Sequence, residues 1–136
     1  MTHRVVLAED NFLVREGVRQ MLAGSGSIDV VGCCGDLDEA LSAIDTLVPD
    51  VVLTDIRMPP HRRDEGVVIA AHCRRRHPGM GVVLLSQYAE ASYVRTLLTE
   101  GTTGRGYLLK ERVADLDDLV EAVDTVARGG SAIDPK

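Results

Sequence analysis

Residues 51–59 read Val51-Val52-Leu53-Thr54-Asp55-Ile56-Arg57-Met58-Pro59. The run opening this stretch is apolar throughout and does not alternate, the pattern of a parallel strand covered on both faces. Two other runs share it, Val5–Ala8 (VVLA) and Val82–Leu85 (VVLL). Ile28–Cys34 and Gly106–Leu109 complete a set of five short strands.

Amphipathic stretches lie between them. Leu37, Ala40, Leu41, Ile44, Leu47 and Val48 recur at three and four residues, as do Leu116, Leu119, Val120, Val123, Val126 and Ala127. Val14, Val18, Met21 and Leu22 form a shorter stripe, and Val94, Leu97 and Leu98 a weaker one. Asp36 with Glu39 has the spacing of a capping box, and Asp115 with Asp118 repeats it more weakly. Gly129-Gly130 is expected to end the last helix through a left-handed position. A strand–helix unit repeated five times implies right-handed crossovers and helices on both faces of a parallel sheet. The expected fold is therefore α/β: a five-stranded, doubly wound parallel sheet of order 2-1-3-4-5, flavodoxin-like. Its functional crevice lies at the carboxyl ends of the strands, near the switch between strands 1 and 3.

Composition bounds the rest. A length of 136 residues suits one domain with one core. The longest apolar runs are far short of the ~20 residues that span a bilayer, and charges follow the first apolar run too soon for a signal peptide. The expectation is a cytoplasmic protein with no membrane partner. Cys33, Cys34 and Cys73 have no metal-ligand spacing and read as buried or half-buried thiols. A net charge of −6 with 3% aromatic residues gives no nucleic-acid footprint, and Arg74–Arg76 read as the solvated end of a helix.

The strand ends carry the chemistry. Glu9 and Asp10 follow the first strand, Asp55 ends the third, Ser86 follows the fourth and Lys110 the fifth. Taken singly each is unremarkable: Asp10 or Asn11 reads as a helix cap, Ser86 as a turn residue and Lys110 as a solvated charge. Together, three carboxylates brought close would repel one another unless a cation sat among them. Oxygen donors without His or Cys point to Mg²⁺, or to Mn²⁺ in its place. A carboxylate can also attack a phosphoryl group and form an acyl phosphate. That transfer needs positioning and neutralised charge, which a divalent ion, an ammonium group and a hydroxyl would supply.

The segments AED (8–10), VVLTDIRMP (51–59), LLS (84–86) and GYLLK (106–110), in this order, resemble the receiver domain of two-component response regulators, a CheY-like (βα)5 fold. LVREGVRQML, GYLLKERV and ARGGSAIDP are similar to receivers of the NarL/LuxR type. The resemblance covers nearly the whole chain. It implies Asp55 as phosphoacceptor and Glu9, Asp10, Asp55 and the Arg57 backbone carbonyl as Mg²⁺ ligands. It implies Lys110 and Ser86 as partners of the phosphoryl group, and Ser86 with Tyr107 as the switch pair. The protein would then be a phosphoacceptor switch, not a turnover enzyme. Its donor would be a sensor histidine kinase, with a homodimer on activation left open. Residues 1–130 would form the receiver and 131–136 the start of a linker, DNA being reached only through an output domain absent from this chain.

Two loops depart from the family pattern. Pro60-His61-Arg62-Arg63-Asp64-Glu65 intervene before Gly66, where most receivers have a short MPGMDG-like segment, and Gly101–Tyr107 is expanded from a GASGY-like one. Glu111 stands where many members carry proline. Tyr88, after Gln87, is expected with Arg57 to flank the mouth of the site and slow loss of the phosphoryl group. Three other readings remain. A flavodoxin-like cofactor binder would need a phosphate loop where Glu9 and Asp10 stand. A hydrolase using Asp55 would want a second acid where Arg57 stands. A phosphate-independent receiver-like module would be expected to have lost a site residue.

Overall fold

A computed structural model describes residues 2–86, 95, 101–110 and 115–133. The stripe at Val94, Leu97 and Leu98, together with Gln87, Tyr88 and Glu111, lies outside the described residues. The strands are β1 (His3–Ala8), β2 (Ile28–Cys34), β3 (Val51–Asp55), β4 (Gly81–Ser86), β5 (Arg105–Leu109) and β6 (Ala132–Ile133). The described helices are α1 (Phe12–Ala23), α2 (Leu37–Leu47), α3 (Glu65–Arg76) and α4 (Leu116–Ala127).

The sheet runs β2-β1-β3-β4-β5-β6 and every pairing is parallel. The five expected strands thus stand in the expected order. The addition is β6, which pairs Gly106 with Ala132 and Tyr107 with Ile133. Two residues give no periodicity, so sequence reading had no strand there.

All residues of β3 and β4 are buried, as their non-alternating apolar runs lead one to expect, and so are all residues of β5, Arg105 included. In β1, Val6 and Ala8 join a core with Ile44, Ile69 and Cys73 on the α2–α3 side. Val5 and Leu7 face Val18, Leu22, Leu119 and Val123 on the α1–α4 side. The period of two along a strand sends alternate side chains to the two layers.

The caps explain where helices begin and end. Asn11, Asp36 and Asp115 each accept the backbone N–H three residues on, at 3.1, 2.8 and 3.2 Å. Glu39 reaches back to the N–H of Gly35 (2.8 Å), one residue before the position of the standard capping box. Gly129, at φ +88°, follows α4, and the Gly130 N–H bonds Thr125 O at 2.9 Å, a left-handed helix end. Cys34 and Cys73 are buried, and burial pushes both thiols up to about 11. Cys33 is exposed on the edge strand β2, against the expectation of a covered thiol.

Candidate functional site

Parallel register brings the strand ends together. Asp55 pairs with Leu85 and Ser86 with Leu109, so Asp55, Ser86 and Lys110 end adjacent strands at one edge. Glu9 and Asp10 leave β1, the strand on the other side of β3. One carboxylate oxygen from each of Glu9, Asp10 and Asp55 lies within 4.8 Å of the others. Glu9, Asp55 and Ser86 are buried, and Asp10 is half-buried.

Lys110 closes this cluster. Its Nζ donates to Asp55 Oδ2 at 3.0 Å and to both Glu9 oxygens at 3.3 and 3.4 Å. Burial opposes the ammonium charge, but the hydrogen bond and charge of Asp55, then of Glu9, hold its pKa above the ordinary value. Glu9 moves oppositely to a typical paired acid. Burial, then the hydrogen bond and charge of Asp55, push it up to about 7 against the pull of Lys110. Such crowding of carboxyl groups fits a site built to share positive charge. The donors are all hard oxygens, which suits Mg²⁺ and not a soft or borderline metal.

The loop after Asp55 is organised by a residue whose role sequence reading missed. Glu65, the first residue of α3, is 2% exposed. Its carboxylate accepts the backbone N–H groups of His61 (2.7 Å), Arg63 (2.8 Å) and, at longer range, Met58 (3.4 Å). Burial works to raise its pKa, but these bonds and the Glu65 N–H outweigh burial and hold it low. An acid in the first turn of a helix was the available signal. The loop is also tied to α2 by the bond from Leu37 N to Pro59 O (3.1 Å). Held this way, the loop presents Arg62, at φ +53°, whose guanidinium pairs with Asp10 Oδ2.

Gly66 lets α3 approach the site. A Cβ there would stand 2.5 Å from Asp55 O and 2.8 Å from Ile56 Cα, while the Gly66 N–H bonds Ile56 O at 2.8 Å. Tyr107 is fully buried in β5, already on the inside of the sheet. Arg57 is exposed two residues past Asp55. The expanded segment before β5 is anchored by Arg105, 2% exposed, which donates to the carbonyls of Ala70, Met80 and Gly104, each at 3.1 Å. Of the site residues read from the sequence, Glu9, Asp10, Asp55 and Lys110 meet directly. Ser86 shares their edge, and Tyr107 lies deeper.

This parallel sheet with an acidic pocket at its carboxyl edge is the architecture of a receiver. A family model for the response regulator receiver domain matches residues 5–124, and the chain belongs to that family. Among its relatives are NarL/LuxR-type regulators. The chain is 39% identical over 133 residues to the transcriptional regulatory protein DegU of Brevibacillus brevis, covering 98% of this chain and 53% of DegU. It is 37% identical over 132 residues to the probable transcriptional regulatory protein NarL of Mycobacterium tuberculosis, covering 97% and 58%. The solved signal receiver domain of the putative response regulator NarL from Mycobacterium tuberculosis superposes with a TM-score of 0.81 at 38% identity, covering 94% of this chain and 98% of that one. The chain thus spans little more than half the length of these curated relatives. No helix among the described residues is long and apolar enough to cross a membrane.

Proposed function

We propose that this receiver is switched by phosphorylation of Asp55, with Glu9, Asp10, Asp55 and the Arg57 backbone carbonyl holding Mg²⁺. The observation that carries this reading is Lys110 Nζ at 3.0 Å from Asp55 Oδ2 within a cluster of three carboxylates. An Asp55 oxygen attacks the phosphorus of a phosphohistidine on a sensor kinase. The P–N bond breaks and the imidazole leaves with its electron pair, taking up a proton. The metal supplies neutralisation of phosphoryl oxygen charge. Lys110 turns from bridging Asp55 and Glu9 to pairing with a phosphoryl oxygen, and Ser86 donates a hydrogen bond to another. Phosphorylation adds about −1.5 to −2 charges and three strong acceptors. Two such charge-assisted bonds, at roughly 1.5–3 kcal/mol each, are of the same scale as the ~5.5 kcal/mol that turns a 1:99 equilibrium into 99:1.

Ser86 and Tyr107 carry the change outward, Tyr107 standing inside the sheet beside the β6 pairing. Residues 1–130 act as the receiver. Residues 131–136 begin a linker whose first part, Ala132–Ile133, docks on β5. The relatives' names as transcriptional regulators support a DNA-binding output domain following it; a cytoplasmic location and dimerisation on activation belong to the same reading. A phosphate-independent interaction module is favoured by one observation, the Arg62 guanidinium already paired with Asp10.

Amide NMR with beryllofluoride as phosphoryl mimic separates the two. The first reading predicts Mg²⁺-dependent shifts at Ser86, Tyr107 and Lys110 that vanish in Asp55→Asn. A folded protein with no shifts would support the second.

A further inference from the structure

At the other end of the sheet, two imidazoles converge on one oxygen. His72 Nε2 and His77 Nε2 each lie 2.8 Å from Asp45 Oδ1, and the two ring centroids are 6.1 Å apart. One ligand atom from each of the three residues lies within 4.8 Å of the others. Asp45 belongs to the last turn of α2, His72 to the body of α3, and His77 is the residue that ends α3, at φ −139° and ψ 66°. The His77 backbone is pinned on both sides, its N–H on Cys73 O (2.7 Å) and its carbonyl accepting from Met80 N (2.9 Å).

We propose that Asp45, His72 and His77 form a binding site for a borderline divalent transition-metal ion, Zn²⁺ foremost. Two imidazole nitrogens and one carboxylate oxygen are the donor set such ions prefer, and three protein ligands leave a fourth, solvent-facing position. Without metal, both Nε2 atoms must carry protons to donate to the same oxygen. The ion takes the place of those two protons, each neutral ring moving its proton to Nδ1. An aspartate is ionised at neutral pH, so the Asp45 carboxylate is present as a ligand.

Access is open through Asp45, which is exposed, and through the His77 edge, while buried His72 is fixed by packing. The carbonyl end of α3 favours a cation there. Arg76, whose charge also acts on Asp45, opposes one and limits the affinity. The two clusters would sort ions by hardness, Mg²⁺ to the all-oxygen pocket at the carboxyl edge and Zn²⁺ to this mixed site. Bound metal would join α2 to the end of α3, independently of chemistry at Asp55.

The test is titration of the chain with Co²⁺ followed by its visible ligand-field absorption, and with Zn²⁺ in competition with a chromophoric chelator. Both are run in excess Mg²⁺ to occupy the acidic pocket. The expected result is one ion bound, with a rise in Tm that a chelator reverses. Asp45→Asn and His77→Gln, both at accessible positions, should weaken binding by at least about tenfold with the circular dichroism of wild type. His3→Gln and His61→Gln should leave it unchanged. Binding no tighter in wild type than in Asp45→Asn/His77→Gln, or lost instead in His61→Gln, would overturn the proposal and leave the trio a hydrogen-bonded clasp.

Discussion

The Arg62 guanidinium, carried by the inserted loop, is ion-paired with Asp10, one of the carboxylates of the acidic pocket. At the proposed Mg²⁺ site, a side chain and a divalent ion would compete for the same oxygen. Arg62 is 65% exposed, so the pair contributes at most ~1 kcal/mol. Arg62→Ala is accordingly expected to tighten Mg²⁺ binding by about threefold to fivefold, measured by calorimetric titration. Unchanged or weaker binding in the variant would mean that Arg62 does not compete with the ion.

Glu65 holds the loop that carries Arg62. Glu65→Ala removes the acceptor of the His61, Arg63 and Met58 N–H groups and leaves a small cavity. A cost of about 2–4 kcal/mol is expected, with Tm lowered by roughly 3 °C for each kcal/mol. Its low folded pKa means that this stabilisation is present above the unfolded value near 4.5 and is lost as pH falls through the folded one. Thermal melts of wild type and variant should converge toward low pH.

Glu9 works in the reverse sense. Its folded pKa, about 7, exceeds the ordinary 4.5, so folding favours the protonated form. That stabilisation, on the order of 3 kcal/mol for such a shift, is complete below about pH 4.5 and is lost as pH rises through about 7. Mg²⁺ prefers the carboxylate, so its affinity should climb over the same interval, and binding near neutrality should release up to about one proton. Titrations in buffers of different ionisation enthalpy read that proton directly. An affinity flat from acid to neutral pH would contradict the assignment.

Gly66→Ala tests how closely α3 is packed on the end of β3, where Asp55 stands. The new Cβ would meet the Asp55 carbonyl at 2.5 Å, with backbone and no flexible side chain to give way. A loss of about 1–3 kcal/mol is expected from chemical denaturation, together with slower phosphorylation as Asp55 shifts. Wild-type stability would show that the loop after Asp55 relaxes freely.

The sheet was readable because each central strand is apolar throughout, and register then places Glu9, Asp10, Asp55, Ser86 and Lys110 at one edge. What escaped were contacts between distant residues. Nothing local announces that Arg62 reaches Asp10, 52 positions away, or that His72 and His77 meet Asp45. Glu65 reads in the sequence as part of the inserted loop, and its place at a helix start and its three loop donors depend on a turn that no periodicity encodes. β6 was too short to register.

The most direct measurement is intact-mass spectrometry of the chain after incubation with acetyl phosphate and Mg²⁺, beside Asp55→Asn and a chelator-treated control. A single phosphoryl adduct on wild type, absent from both controls, is the predicted result. A folded wild-type protein that gains no adduct, or an adduct that persists in Asp55→Asn, would contradict the assignment of Asp55 as the phosphoacceptor.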